Sequence, residues 1–260
     1  MRGITLACVA LIALSTGSLR GTAEAQVRLN DAIRMLDAES ADEVRLGIEA
    51  LGTIGSARVV APLMARIRRG LPADLLDLAL ETLGVVGQRE AGPVLFQLLT
   101  HRREAVRLSA VDAIVSCKPR GAERALATAL SDSDPRVRAA AALGLGQLGA
   151  RGSIDDLFHA FERGVLESAT AIGQLADAAG ADRLLDHLGR VPFDAIAPAV
   201  NELLARDDVA DRVKLEIVGR LAELATPEVR QYFQELVESL DDSPVRRAAE
   251  DAVARIAGGS

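Results

Sequence analysis

Apolar residues return at the three-and-four spacing of an α-helix through most of the chain, in short stretches separated by turn residues. One stretch recurs nearly as a copy. Val44 to Gly55 reads VRLGIEALGTIG, Val106 to Cys117 reads VRLSAVDAIVSC, Val137 to Gly149 reads VRAAAALGLGQLG, and Val245 to Ala257 reads VRRAAEDAVARIA. The Val-Arg pairs at 44, 106 and 137 lie 62 and 31 residues apart, with Leu75-Leu76 in the gap, and Gly55, Gly87 and Gly149 close three stretches at spacings of 32 and 62. Two markers therefore agree on a repeat of 31 to 32 residues, the mark of a stacked architecture.

Each repeat holds two helical stretches, such as Ala122 to Leu130 and Val137 to Leu148. Between these two, Ser131-Asp132-Ser133-Asp134-Pro135 forms a turn in which Asp134 can cap the next helix and Pro135 fits its first turn. Gly149 supplies a left-handed residue past the helix end. Gly146, inside the helix, costs about 1 kcal/mol of propensity, which close approach of a neighbouring helix would offset; Gly52, Gly84 and Gly173 look equivalent. Beyond residue 150 the register loosens, because Val137 to Val213 spans 76 residues. Helices are still expected over 153–163, 165–177, 180–189, 194–206, 209–224, 227–240 and 244–257, with Pro192 and Pro227 at breaks, but their pairing is not readable. The fold class expected is an all-α solenoid of about seven stacked antiparallel helix pairs. It is regular over 29–150, less regular over 151–225 and closed by capping units over 226–257, before a disordered tail at 258–260.

Ser131 to Gly149 has the look D-x-D-P-x-V-R-x-x-A-A-x-x-L-G, and here the chain resembles the HEAT-repeat proteins, in particular the short PBS-lyase HEAT-like class. The resemblance covers most of 29–257 and is weakest over 150–225. It implies a HEAT-like, armadillo-like superhelix of two layers and, most often, a protein-binding scaffold surface with the second helices on the concave side.

The first residues read as an address. Arg2 precedes an apolar run from Ile4 to Leu14, and Ala23-Glu24-Ala25 completes the three-part layout of a secretory signal peptide, residues 1–25, cleaved before Gln26. Eleven apolar residues are too few for a membrane span, which needs about 20. Thr5-Leu6-Ala7-Cys8 loosely resembles a lipobox, but seven preceding residues make too short a signal for lipid attachment. A periplasmic or secreted protein is expected. Only two of the 30 basic residues are lysine, Lys118 and Lys214, a skew that fits a GC-rich bacterial gene.

Composition narrows the function. Aromatic residues are 2% of the chain, Trp is absent, and the formal charge is −7. Removing residues 1–25 leaves 28 basic and 36 acidic residues, a formal −8. Such a chain has neither the basic field nor the rings that nucleic acid requires. Cys117 is then the one cysteine and reads as a small buried hydrophobe. His101, His159 and His187 form no metal-ligand spacing, and there is no C-x-x-C clip, so no metal and no cofactor are expected. Asp155 and His159 share a helix face and read as a surface pair; His101 and His187 read as solvated. The L-G-x-x-G pieces follow helices, unlike phosphate loops, and no catalytic residues are assigned.

Two residues before the core positions Leu51, Leu83, Ile114, Leu145 and Val253 stand Glu49, Glu81, Asp112, Leu143 and Asp251. Glu49, Glu81 and Asp112 would make an acidic row on the concave side, suited to a protein partner with a basic surface; an ordinary solvated face is the simpler reading. Arg45, Arg107, Arg138 and Arg246, near Asp132, Asp134 and similar turn acids, are expected to form a structural ladder of ion pairs between repeats. The function expected is non-catalytic protein–protein interaction. A lyase-like or pigment-handling enzyme of the PBS-lyase HEAT-like type is the alternative that the resemblance leaves open, and a structural spacer is a third.

Overall fold

The computed structural model describes residues 24–258, so the leader expected over 1–25, Cys8 within it, and Gly259-Ser260 of the expected tail lie almost wholly outside the described residues. Residues 24 and 25 already belong to the first helix, and Gly258 still belongs to the last. The described chain is helical throughout, apart from short turns and one isolated bridge between Leu188 and Val191. It forms an all-α solenoid of helix pairs in two compact bodies, divided along the chain between Ala122 and Glu123.

The N-terminal body holds α1 (24–35), α2 (Ala41–Ile54), α3 (Val60–Arg69), α4 (Ala73–Val86), α5 (Gly92–Leu98) and α6 (Glu104–Cys117). The second helices α2, α4 and α6 pack side by side and bury Val44, Ile48, Leu51, Leu75, Ala79, Leu83, Val106, Ala110 and Ile114. These are the apolar positions of the repeated stretch, spaced so that they fall on one stripe of each helix. Each of α2 and α4 ends in a left-handed glycine, Gly55 (φ 61°) or Gly87 (φ 64°), followed by a single 3₁₀ turn that starts the next pair, Ala57–Val59 or Arg89–Ala91.

The C-terminal body holds α7 (Ala122–Ala129, from Glu123), α8 (Pro135–Gln147), α9 (Ile154–Glu162), α10 (Ser168–Leu175), α11 (Ala178–Leu185), α12 (Phe193–Ala205), α13 (Asp211–Ala222), α14 (Pro227–Ser239) and α15 (Pro244–Gly258). All seven helices expected beyond 150 are present, with ends that differ from the expected ones by up to a few residues. Asp134 caps α8, its side chain accepting from the Arg136 amide at 2.9 Å. Within this body α8, α10 and α12 pack side by side as a row of second helices. Then the packing changes parity: α11 lies on α13, α13 on α15, and α14 covers α15. Val137 opens an even-numbered helix, whereas Val213 and Val245 lie at the start of odd-numbered ones, one repeat length apart. That slip is why the spacing from Val137 to Val213 is no multiple of the repeat. The core position of α15 is also corrected: Val253 is only half-buried, and Ala252 takes its place.

Candidate functional site

A cleft of about 660 Å³ with an acidic lining lies between α4 and α6 of the N-terminal body. From α4 come Asp74, Asp77, Leu78, Glu81 and Val85, which follow the three-and-four spacing of one helix face. From α6 come Ser109, Asp112 and Ser116, on the equivalent stripe one repeat later. Burial of Leu75, Ala79 and Leu83 against α2 and α6 turns this face outward. At Gly84 the two helices stand at ordinary van der Waals distance, since a Cβ there would lie 3.7 Å from the Ala113 Cα.

Charge in the cleft is uneven. Asp74 pairs with Arg45 of α2, and Asp77 Oδ2 accepts from Arg103 Nη2 at 3.3 Å. The other Asp77 oxygen, Oδ1, is buried and has no hydrogen-bond partner. Glu81 and Asp112 are exposed and have no ion-pair partner among the described residues. Partial burial of Asp112 raises its carboxyl above the ordinary aspartate value of 3.8, so the negative charge is held against a desolvation penalty. Beside these acids Val85 is 73% exposed, and Leu46 on α2 is 55% exposed.

Of the three residues read as an acidic row, Glu81 and Asp112 thus line one cleft, and Glu49 lies exposed at the matching position of α2. Asp74, Asp77 and Val85 escaped the sequence reading, which followed only the position two residues before each core leucine. The signal was present as the stripe 74, 77, 81 and 85 on one helix face.

The arginines expected to form a ladder divide by partner. Arg45 makes the pair between successive helix pairs. Arg107 donates to the His101 carbonyl at 2.9 Å, Arg138 to those of Asp132 (2.9 Å) and Ser133 (3.1 Å), and Arg246 to that of Leu240 (3.1 Å). Each of these three reaches the carbonyl six residues back, at the turn between the helices of its own pair. Asp132 accepts from the Asp134 amide, and Asp134 from Arg136, which holds the Asp134 carboxyl below its ordinary value.

The histidines are corrected. His101 Nδ1 accepts from the Arg103 amide at 3.2 Å, and His187 packs between Phe158 and Phe161, with ring centroids 6.3 and 5.5 Å away. Both side chains serve turn and core rather than standing in solvent. Asp155 pairs with Arg183 at 2.7 Å, which leaves His159 exposed beside it. Cys117 is buried, donates to the Leu83 carbonyl at 3.2 Å, and has its pKa pushed up to about 11 by burial. Among the described residues no group of three or more His, Cys, Asp or Glu is placed to hold a metal, and no helix is long and apolar enough to cross a membrane.

No curated protein matches the chain. A chain of the AP-3 complex in an intermediate open conformation, itself a homology model, is similar in fold with TM-score 0.57 and 13% identity, over 91% of this chain and 51% of that one, so this chain spans about half its length. The complex of CpcE and CpcF of phycocyanin lyase from Nostoc sp. PCC7120 gives TM-score 0.48 and 18% identity, over 88% of this chain and 94% of that one. Human deoxyhypusine hydroxylase gives 0.45 and 15%, over 92% and 97%. Residues 92–176 match the family model for HEAT repeats. That stretch, about a third of the chain, is similar to HEAT repeats and lies within an all-α solenoid.

Proposed function

We propose that this chain is a non-catalytic protein-interaction module that works outside the cytoplasm and holds a partner protein against the α4–α6 cleft. The observation that carries the reading is the cleft itself, where unpaired Glu81 and Asp112 stand beside an exposed Val85. A stacked fold exposes a long helix face without ordering loops, which suits it to contact rather than chemistry. The Cys117 thiol is buried and held protonated, and no histidine is among the residues lining the cleft with its carboxylates. The leader expected over 1–25 is the basis for the compartment.

The test is a photo-crosslinking residue at position 85, with a second at Arg68 on α3 as control, in the chain expressed with its own N-terminus. One protein crosslinked at 85 but not at 68, in the extracytoplasmic fraction, is the expected result. Equal or absent crosslinking at 85 sinks the interaction reading. A cytosolic, unprocessed chain sinks the compartment.

A further inference from the structure

We infer that a cavity between the α11–α12 turn and the α13–α14 turn of the C-terminal body binds a small organic cation, an ammonium ion that carries an alkyl or aryl group. The site is independent of the interaction reading, since it shares no residue with the α4–α6 cleft. Its volume of about 450 Å³ falls in the range of small-molecule sites, roughly 300–1,000 Å³. Both turns are held by the rest of the fold, so the cavity is formed before anything binds. In the first, the His187 ring packs against Phe158 and Phe161, and the His187 carbonyl accepts from the Arg190 and Val191 amides at 3.0 and 3.3 Å. Gly189 takes the left-handed conformation there (φ 73°), and a Cβ on it would meet Leu224 Cδ2 at 3.7 Å, so Leu224 of the second turn lies beside the first. In the second, the Thr226 hydroxyl accepts from the Val229 amide at 3.4 Å and closes the start of α14. Phe193 is set by an edge-on contact with Tyr232, with ring centroids 5.2 Å apart.

The lining selects the class of ligand. Leu188, Val191, Pro192, Phe193 and Leu224 give apolar walls, of which a hydrated inorganic ion makes no use. Asp194 and Glu228 add two carboxylates, and no basic residue lines the cavity to balance them. The Glu228 backbone amide and the Thr226 hydroxyl hold the Glu228 carboxyl below its ordinary value of 4.5, so it is charged at neutral pH. An anion is therefore repelled, and a neutral apolar molecule leaves the charge unanswered. An apolar ammonium meets both demands: its hydrocarbon part is buried against the walls, at about 25 cal/mol per Å², and its N–H groups donate to the carboxylates. Phe193 adds a ring, which attracts a cation within about 6 Å of its centroid. Asp194 and Glu228 stand second in α12 and α14, where an acid also offsets the helix dipole. That role needs no cavity and gives no preference among ligands, which is what the experiment reads.

Calorimetric titration of the whole chain with hexylammonium, 1-hexanol, hexanoate and methylammonium tests this. Hexylammonium is expected to bind at least about tenfold tighter than the alcohol, which lacks the charge, and than methylammonium, which lacks the chain, while hexanoate does not bind. In methyl NMR spectra hexylammonium should shift the signals of Leu188, Val191 and Leu224 ahead of all others. The double variant Asp194→Asn, Glu228→Gln should bring hexylammonium down to the affinity of the alcohol. If that variant melts lower than wild type, the ranking of the four probes and the methyl shifts on the wild-type chain decide. Equal binding of the alcohol or of methylammonium, no binding of hexylammonium, methyl shifts confined to other residues, or undiminished binding by a stable double variant overturns the inference.

Discussion

Ser168 opens α10 fully buried, with a hydroxyl that has no hydrogen-bond partner. An unsatisfied buried hydroxyl costs more than the methyl that could replace it. Ser168→Ala should raise stability by about 1 kcal/mol, read as a shift of the urea midpoint at unchanged slope. Arg206 presents the opposite case. It donates to the Gly173 and Ala176 carbonyls at 2.9 and 2.8 Å, closing the end of α10, and clasps Asp208 through Nε and Nη2 at 2.9 and 2.8 Å. That clasp, with Arg151 nearby, lowers the Asp208 pKa from 3.8 to about 2. A lowered carboxylate contributes stability that is fully present above its unfolded value and is lost as pH falls through the folded one. The melting-temperature gap between wild type and Asp208→Asn should hold steady at neutral pH, narrow below about 4 and close near 2. A gap that widens on acidification would contradict the assignment. Neither feature was legible from the sequence, since both depend on which side chains the fold brings to one helix end.

At the scale of elements, the left-handed closing position recurs at Gly55, Gly87, Lys118 and Gly149, with φ of 61°, 64°, 47° and 68°. The sequence marked three of them by glycine and passed over the fourth, because Lys118 adopts the same turn without the residue type that advertises it. A side chain in this region costs about 1 kcal/mol, so Lys118→Gly should stabilise α6 by about that amount in thermal melts. Interior glycines divide by what faces them. A Cβ on Gly173 would come within 2.5 Å of the Ala199 carbonyl oxygen and 2.8 Å of its Cα, backbone that cannot step aside. Gly173→Ala should destabilise by about 1–3 kcal/mol. Gly84 meets only ordinary contacts from Ala113 and Ser116, so Gly84→Ala should gain roughly 0.5–1 kcal/mol of helix propensity. If the two variants shift the denaturation midpoint alike, close approach is not what keeps glycine at 173. Their sequence contexts gave one expectation for both; the neighbouring helix separates them.

For the whole molecule, each helix pair relies on its neighbours, so protection should fall toward the ends. Hydrogen exchange is expected to be slowest in α4 and α10, which are flanked on both sides, and fastest in α1 and α15; uniform protection would argue against additive stacking. Five of the six aromatic side chains, Phe158, Phe161, Phe193, Tyr232 and Phe233, lie in the C-terminal body, where the repeat is least regular, and Phe96 lies on α5 of the N-terminal one. By itself the sequence determined the helices, their caps and the 31-to-32-residue repeat, since periodicity, Asp134-Pro135 and closing glycines act within a few residues of one another. It also placed Glu49, Glu81 and Asp112 at equivalent positions. Only tertiary structure decided that α13 leaves the row of second helices, that Asp74, Asp77 and Val85 join two of those acids in one cleft, and that His187 turns inward. These outcomes depend on which helix lies beside which, and packing between segments a repeat or more apart is not encoded in any local pattern.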